Sequence, residues 1–361
     1  MCSKYAPKKY MTTNQPTYVI GEIGQNHNGS ADIAKIIVDV AARPIREEVF
    51  GLELKSFDAV KLTKRDLAEE LTDSAMSRPY NSPHSFGATY GQHRAALELT
   101  DEEHYEVYLH AKSYGLDFVE TLCAIGCLSM LKLFTPDRLK IASRDLTNLP
   151  LLAALAETKI PIIASTGMAS QRELDDALNT IARYHSNITI LHCVSEYPTK
   201  PQNLNLRTII YLQKRYGQQY TIGYSDHSIG ISVPLAAVAM GAAVIEKHIT
   251  IDRRMKGTDQ AGSLGPDGIY RMMRDLRMLD MSMGVEDIFI CEDIAATSVK
   301  LERSIATKYA MRKGQILQEA DLHLLSPGDG IKWRNKHLVI GRKLNTNMPA
   351  NEIIYPDKLE G

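Results

Sequence analysis

The sequence predicts a (β/α)8 TIM barrel followed by a small β-rich module, and three features carry the barrel. Eight short runs are almost continuously apolar and rich in Ile, Val and Leu, as strands covered on both faces must be. Amphipathic segments of helical period separate them, which implies parallel pairing and right-handed crossovers. No G-x-G-x-x-G occurs, whereas a doubly wound sheet would normally use fewer strands and such a loop.

The strands are expected over residues 18–24, 59–63, 116–122, 138–143, 160–166, 188–193, 219–225 and 244–250. The clearest helices cover 31–42, 101–114, 149–157, 171–184, 206–216 and 232–240. Asp101, with acidic residues directly after it, reads as a helix start. The connection 64–99 is unusually long and contains Arg-Pro-Tyr-Asn-Ser-Pro-His at 78–84. Such a segment is a lid, a binding loop or a solvated insertion. The barrel is assigned to residues 1–284, a linker to 285–300 and a turn-rich β module to 301–361. In that module Met311, Ile316 and Leu322 repeat the spacing of Met348, Ile353 and Leu359, which suggests pseudo-symmetry.

Composition excludes several classes. The 361 residues are 44% hydrophobic and 24% charged, ordinary for a globular protein. The net charge of −1 gives no global pull toward nucleic acid or membrane, so neither is expected as a partner. Five cysteines without a C-x-x-C pair read as reduced thiols. Residues 1–17 lack the apolar core of a signal peptide. The apolar stretch 229–245 is broken by Pro234 and Gly241. A cytoplasmic location is expected.

Barrel active sites form at the carboxyl ends of the strands. Those ends carry Glu22, then Lys61, then Glu120 and Thr121, then Lys140 and Ser143, then Ser165 and Thr166. His192 with Tyr197, Ser225 with Asp226 and His227, and Glu246 with Lys247 and His248 complete the circuit. Burying so many polar groups is costly unless they bind something or each other. Glu120, His192 and Glu246 are read as satisfied interior residues. His227 and His248, from neighbouring strands, suit an open divalent-metal site. The hydroxyls of Thr121, Ser143, Ser165 and Ser225, with Lys61 and Lys140, form an anion cradle. Helix capping would use the same hydroxyls.

These residues resemble the sialic acid synthase family. The matching segments are Glu-Ile-Gly-Gln-Asn-His-Asn-Gly at 22–29, Ala-Val-Lys at 59–61, Lys-Ile-Ala-Ser at 140–143 and Ala-Ser-Thr-Gly-Met at 164–168. Leu-His-Cys at 191–193, Tyr-Pro-Thr at 197–199, Gly-Tyr-Ser-Asp-His-Ser at 223–228 and Glu-Lys-His at 246–248 follow in the family's order. The tail from about residue 301 resembles the antifreeze-like (SAF) domain that ends these synthases.

The resemblance implies condensation of phosphoenolpyruvate with an amino-sugar aldehyde, N-acetylmannosamine or a related acetamido hexose, to a 3-deoxy-nonulosonic acid plus phosphate. It implies a divalent metal, Mn²⁺ with Mg²⁺ or Co²⁺ as alternatives, on His227 and His248. It implies a domain-swapped homodimer in which each SAF domain covers the partner's barrel mouth. Lys61, Thr121, Lys140, Ser143, Ser165 and Ser225 would hold phosphoenolpyruvate. Glu22, Asp145, Tyr197 and Asp259 would face the sugar or assist proton transfer, and Ser195 would contact substrate.

Several positions depart from the family pattern. Val-Lys-Leu-Thr puts Thr63 where the N-acetylmannosamine enzymes have Gln, and Glu-Thr-Leu at 120–122 replaces Ser-Thr-Pro. Asp145 replaces Glu, Ser195 replaces Asn, and Ser326 stands where an Arg is usual. Most of these fall on the sugar side, which leaves the acceptor open. Three rivals stand beside this reading. One is a Schiff-base aldolase or lyase using Lys61 or Lys247. Another is a non-catalytic sugar-binding homologue. The third is a condensation on a phosphorylated sugar, against which the SAF-like tail is taken to speak.

Overall fold

The computed structural model describes residues 16–288 and 290–360. Cys2 and most of the stretch compared with a signal peptide lie outside the described residues. The chain divides into two compact units, one reaching Val285 and the other starting at Glu286.

The first unit is a closed barrel of eight parallel strands. They are β1 Tyr18–Gly24, β2 Ala59–Lys64, β3 Asp117–Leu122, β4 Arg138–Ile141, β5 Ile162–Ser165, β6 Ile188–Cys193, β7 Thr221–Asp226 and β8 Val244–His248. Each strand pairs with the next in sequence. β1 pairs with both β2 and β8, through Glu22 opposite Lys61 and Glu22 opposite His248. The helices are α1 Ala31–Ala42, α2 Asp101–Ser113, α3 Leu149–Glu157, α4 Gln171–Ala182, α5 Arg207–Tyr216, α6 Ser232–Ala239 and α7 Pro266–Ser282. A 3-10 helix, Gly126–Lys132, makes the crossover after β3.

Local sequence explains where the helices begin. Ser30, Thr100 and Ser170 accept hydrogen bonds from the first turns of α1, α2 and α4. Thr100 with Glu103, and Ser170 with Glu173, complete capping boxes. A cap of this kind contributes about 1 kcal/mol. The final helix returns to the first strands. Arg277 of α7 donates to the carbonyls of Thr17 (2.6 Å) and Ser56 (2.8 Å) and to Asp58 (2.7 Å).

Two features of this unit differ from expectation. A short hairpin, Ile45–Glu47 with Leu52–Leu54, follows α1, and its three-residue strands are too brief to leave an alternating pattern. The long connection after β2 is not an open loop. It holds three short helices, Leu67–Glu70, Asp73–Met76 and Tyr90–Ala95. The segment 78–84, for which the sequence leaves a lid, a binding loop and a solvated insertion all open, is fastened by a bridge between Pro79 and Thr89.

The barrel has two apolar layers. The outer one joins outward-facing strand residues such as Val19, Val60, Phe118 and Ile190 to the helices. The inner one is small: Ile20, Ala59, Val119, Ile163, Leu191 and Val244 fill the floor of the barrel. Strand periodicity sends alternate residues to these two layers.

The second unit builds its own core from Ile305, Leu317, Leu322, Leu344 and Ile354. Ser304–Thr307 and Leu322–Leu325 pair antiparallel. Met311 and Met348 exchange backbone hydrogen bonds of 2.8 and 2.9 Å, so these two repeat positions meet. The repeat is imperfect at its middle position: Ile316 is half exposed and Leu317, its neighbour, enters the core. Residues 285–300, read as a linker, contain most of a helix, Ala295–Leu301. That helix is tied to its unit by Gly328 N–H donating to Val299 (2.7 Å). No helix among the described residues is long and apolar enough to cross a membrane.

Candidate active site

Moving two residues along each strand from the apolar floor changes the chemistry completely. Ile20 leads to Glu22, Ala59 to Lys61, Val119 to Thr121, Ile163 to Ser165, Leu191 to Cys193 and Val244 to Glu246. Lys140 and Ser225 complete this second layer from β4 and β7. All eight side chains are buried. Two residues further on stand Gly24, Thr63, Cys123, Ala142, Ser195, His227 and His248. Together the layers line a cavity of about 170 Å³.

The second layer is a chain of paired charges. Lys61 contacts the Glu22 carboxylate directly and lies 3.6 Å from Glu246. Lys140 lies 4.0 Å from Glu246 and donates to the Ser165 hydroxyl at 2.6 Å. Ser225 donates to Glu246 at 2.9 Å, and Lys61 reaches Thr121 at 3.4 Å. Each buried charge costs several kcal/mol of desolvation, which only pairing offsets. Burial pushes the Glu22 carboxyl up to about 7, against the opposing pull of Lys61. Burial alone would also raise Glu246, but Lys140 and Lys61 overcome it and bring that group down to about 2. Burial depresses Lys140. Lys61 moves upward, because Glu22 and Glu246 outweigh its desolvation. Two neighbouring carboxyls with divergent proton affinity are a signature of acid–base sites.

His227 and His248 stand across the mouth with ring centroids 5.5 Å apart. The Tyr197 ring packs on His227 at 4.0 Å. His227 Nδ1 bonds the Val194 carbonyl at 2.9 Å. That bond fixes the proton on Nδ1 and leaves Nε2 with a lone pair. Burial lowers His248 to about 4, and its Nδ1 is buried without a hydrogen-bond partner among the described residues. Burial would lower His227 too, but the Cys193 side chain and the Val194 carbonyl outweigh it and move that ring upward. Each ring still has a nitrogen that, unprotonated, fits a divalent cation. No group of three or more His, Cys, Asp or Glu among the described residues has the arrangement of a closed metal site. A cation held here would keep open positions.

Gly24 adopts φ +53°, where a side chain is strained. A Cβ there would also strike the Glu22 carboxylate at 2.7 Å and approach the His248 ring at 3.6 Å. Glycine therefore lets the end of β1 pass between these two groups.

Of the thirteen site residues expected from sequence, the cavity gathers twelve: Glu22, Lys61, Thr121, Lys140, Ser143, Ser165, Ser195, Tyr197, Ser225, His227, His248 and Asp259. Asp145 is not among the lining residues. Its carboxylate bonds Arg144 Nε at 3.2 Å, so it works behind the wall. Glu246, read as a structural residue, faces the cavity and must be counted in the site. Glu120 and His192 do point outward, to His104 at 3.0 Å and to the Leu204 carbonyl at 2.8 Å. Lys247, considered as a Schiff-base nucleophile, also points outward and is locked to Asp226 at 2.6 Å. Arg65, Arg144, Cys123, Cys193, Gln25 and Met168 line the cavity unannounced. The two-residue step could have found several of them, since Arg65 follows Thr63 and Cys193 precedes Ser195. Thr63 and Ser195 line the cavity, whereas the Ser326 hydroxyl donates to Leu301 within the second unit.

Residues 54–287 match the NeuB family and residues 302–360 match the SAF domain. The chain belongs to the NeuB family. It is 32% identical to N-acetylneuraminate-9-phosphate synthase of Homo sapiens, over 98% of this chain and 96% of that one. It is equally identical to N,N'-diacetyllegionaminic acid synthase of Legionella pneumophila, over 95% and 94%. Among solved structures, N-acetylneuraminic acid synthetase of Leptospira borgpetersenii, in complex with citrate, superposes with a TM-score of 0.65 at 29% identity. That match covers 78% of this chain and 90% of the other. This NeuB-family protein is therefore an enzyme of the sialic acid synthase type. One expectation needs correcting: the SAF tail does not argue against a phosphorylated sugar. A relative named as a 9-phosphate synthase matches nearly the whole chain, tail included.

Proposed function

We propose that this enzyme condenses phosphoenolpyruvate with an open-chain acylamino-sugar aldehyde, giving a 3-deoxy-nonulosonic acid and inorganic phosphate. The observation that carries the reading is the pair of polar layers above the apolar floor. Lys61 and Lys140, with the hydroxyls of Thr121, Ser143, Ser165 and Ser225, offer a small trianion two point charges and several donors. The names of the relatives, synthases of sialic-type acids, support the product class.

The residues then divide the work. The cradle holds phosphoenolpyruvate with its methylene carbon toward the aldehyde, and Tyr197 and Asp259 position the sugar. His227 and His248 would hold a divalent cation, Mn²⁺ in the first instance. Such a cation supplies Lewis-acid polarisation of the aldehyde oxygen. The methylene carbon bonds to the aldehyde carbon, and the alkoxide formed takes a proton. Water adds to C2 of the former phosphoenolpyruvate, and the tetrahedral adduct collapses to the keto acid as phosphate leaves. Glu22, raised by burial toward neutral pH and beside Lys61, is the proton-transfer group. Holding two small substrates in register supplies much of the acceleration.

The proposal extends to a homodimer, from the family resemblance, and to a cytoplasmic location, as expected from the sequence; light scattering checks the first and cell fractionation the second. The chemistry is tested by phosphate release from phosphoenolpyruvate with Mn²⁺ across a panel of hexosamine acceptors, with product masses. Acceptor-dependent phosphate and a product three carbons longer support it. Folded, metal-loaded protein that turns over no acceptor contradicts it.

A further inference from the structure

The cavity has a second basic pole that the proposed chemistry does not use. Arg65 lies two residues beyond Thr63, on the inward side after β2, and Arg144 follows Ser143 after β4. Both line the cavity. The Arg65 side chain is nine-tenths buried, yet its Nε and Nη1 have no hydrogen-bond partner among the described residues. Glu98 and Glu70 stand 3.5 Å from those atoms, near enough to pair in charge but without hydrogen-bond geometry. Arg144 spends Nε on Asp145 (3.2 Å) and Nη2 on Glu70 (3.0 Å). Its Nη1 has no hydrogen-bond partner among the described residues. Arg94, behind them, is engaged by the Gln25 side chain at 3.1 Å. Three guanidiniums are thus balanced by Glu70, Glu98 and Asp145, but their donors are not used up. A buried donor left unmade is costly, and a planar guanidinium matches the oxygens of a phosphate.

The order of strands around the barrel places this pole. The circuit β1 to β8 sets β2 and β4 on either side of β3, with β7 and β8 across the mouth. Arg65 and Arg144 therefore stand opposite His227 and His248. An open-chain hexose whose aldehyde lies at the histidines extends its far end, C6, toward the arginines. We propose that Arg65 and Arg144 form a second anion subsite, separate from the Lys61–Lys140 cradle, that reads a phosphate on the C6 end of the acceptor. This assignment rests on the condensation proposed above and names its substrate class, a hexosamine 6-phosphate.

Binding tests it without requiring turnover. The full-length, Mn²⁺-loaded protein is titrated calorimetrically with N-acetylmannosamine 6-phosphate, with N-acetylmannosamine and with phosphoenolpyruvate. Arg65→Met and Arg144→Met are titrated in the same way. Arg144 stands at the more open rim, so its variant keeps the test valid if the buried Arg65 variant fails to fold. The wild type should prefer the phosphorylated sugar. Each folded variant should lose about 10- to 100-fold for that ligand. Affinity for the plain sugar and for phosphoenolpyruvate should be unchanged. Equal wild-type affinity for the two sugars overturns the subsite. A loss shared with phosphoenolpyruvate also overturns it, because the arginines would then belong to the inner cradle. Retained discrimination in a protein that turns over no acceptor sinks the condensation and leaves the subsite standing.

Discussion

Two adjacent pairs on β7 and β8 show how one backbone serves stability and chemistry at once. Asp226 and Lys247 point outward, and Ser225 and Glu246, one residue earlier on each strand, point inward. The outward pair is saturated. Asp226 accepts from Lys247 (2.6 Å), the Tyr224 hydroxyl (3.0 Å), and the Ser228 amide (2.9 Å) and hydroxyl (3.0 Å). The inward pair is not. Glu246 accepts one hydrogen bond, from Ser225, and its other oxygen has no hydrogen-bond partner among the described residues. A buried polar group with its partners in place holds the fold. One left short of partners at a cavity wall is prepared for something that arrives from outside.

The largest effect should come from breaking the saturated pair. Asp226→Ala strands a buried ammonium and should cost about 3–5 kcal/mol of stability. Chemical denaturation would read this as a lowered midpoint. A loss below 1 kcal/mol would contradict the distinction. Lys140→Met should do the reverse: Glu246 keeps Lys61 as a counter-charge at 3.6 Å, so the melting temperature stays close to wild type, and kcat/KM falls about 100-fold with most of the loss in phosphoenolpyruvate binding. Steady-state kinetics on folded protein checks it.

Glu22 sharpens the comparison through pH. Its raised proton affinity leaves it protonated below about 7 and ionised above. Where the ionised form is needed, kcat/KM should fall tenfold per unit below that point. Glu22→Gln should remove that acidic limb and lower the plateau by about 100-fold. A limb unchanged in the variant would assign it to another group. Thr63→Val should have the smallest effect, with stability within about 0.5 kcal/mol of wild type. The acceptor KM should change and the phosphoenolpyruvate KM should not.

The same comparison explains what was legible in the sequence. Continuous apolar runs located all eight strands, because a covered parallel strand leaves no alternation to misread. The strand ends located most of the side chains that line the cavity, the two histidines included. Glu246 was misjudged because residue type alone does not say which face it takes, although His248, two positions on, shares that face. Asp145, implied by the family resemblance and not by the strand ends, does not line the cavity: it follows β4 in a 3-10 turn, Ser143–Asp145, where strand periodicity has already ended. Arg144, its neighbour in that turn, was missed on the same ground. The hairpin after α1 and the helices after β2 are too short to leave a periodic signal.

The most direct test is a crystal structure of the protein soaked with phosphoenolpyruvate and Mn²⁺. The account predicts phosphoenolpyruvate oxygens within hydrogen-bonding distance of Lys61, Lys140 and Ser165, and an anomalous manganese peak shared by His227 and His248. Phosphoenolpyruvate bound away from both lysines, or manganese bound away from both histidines, would contradict it.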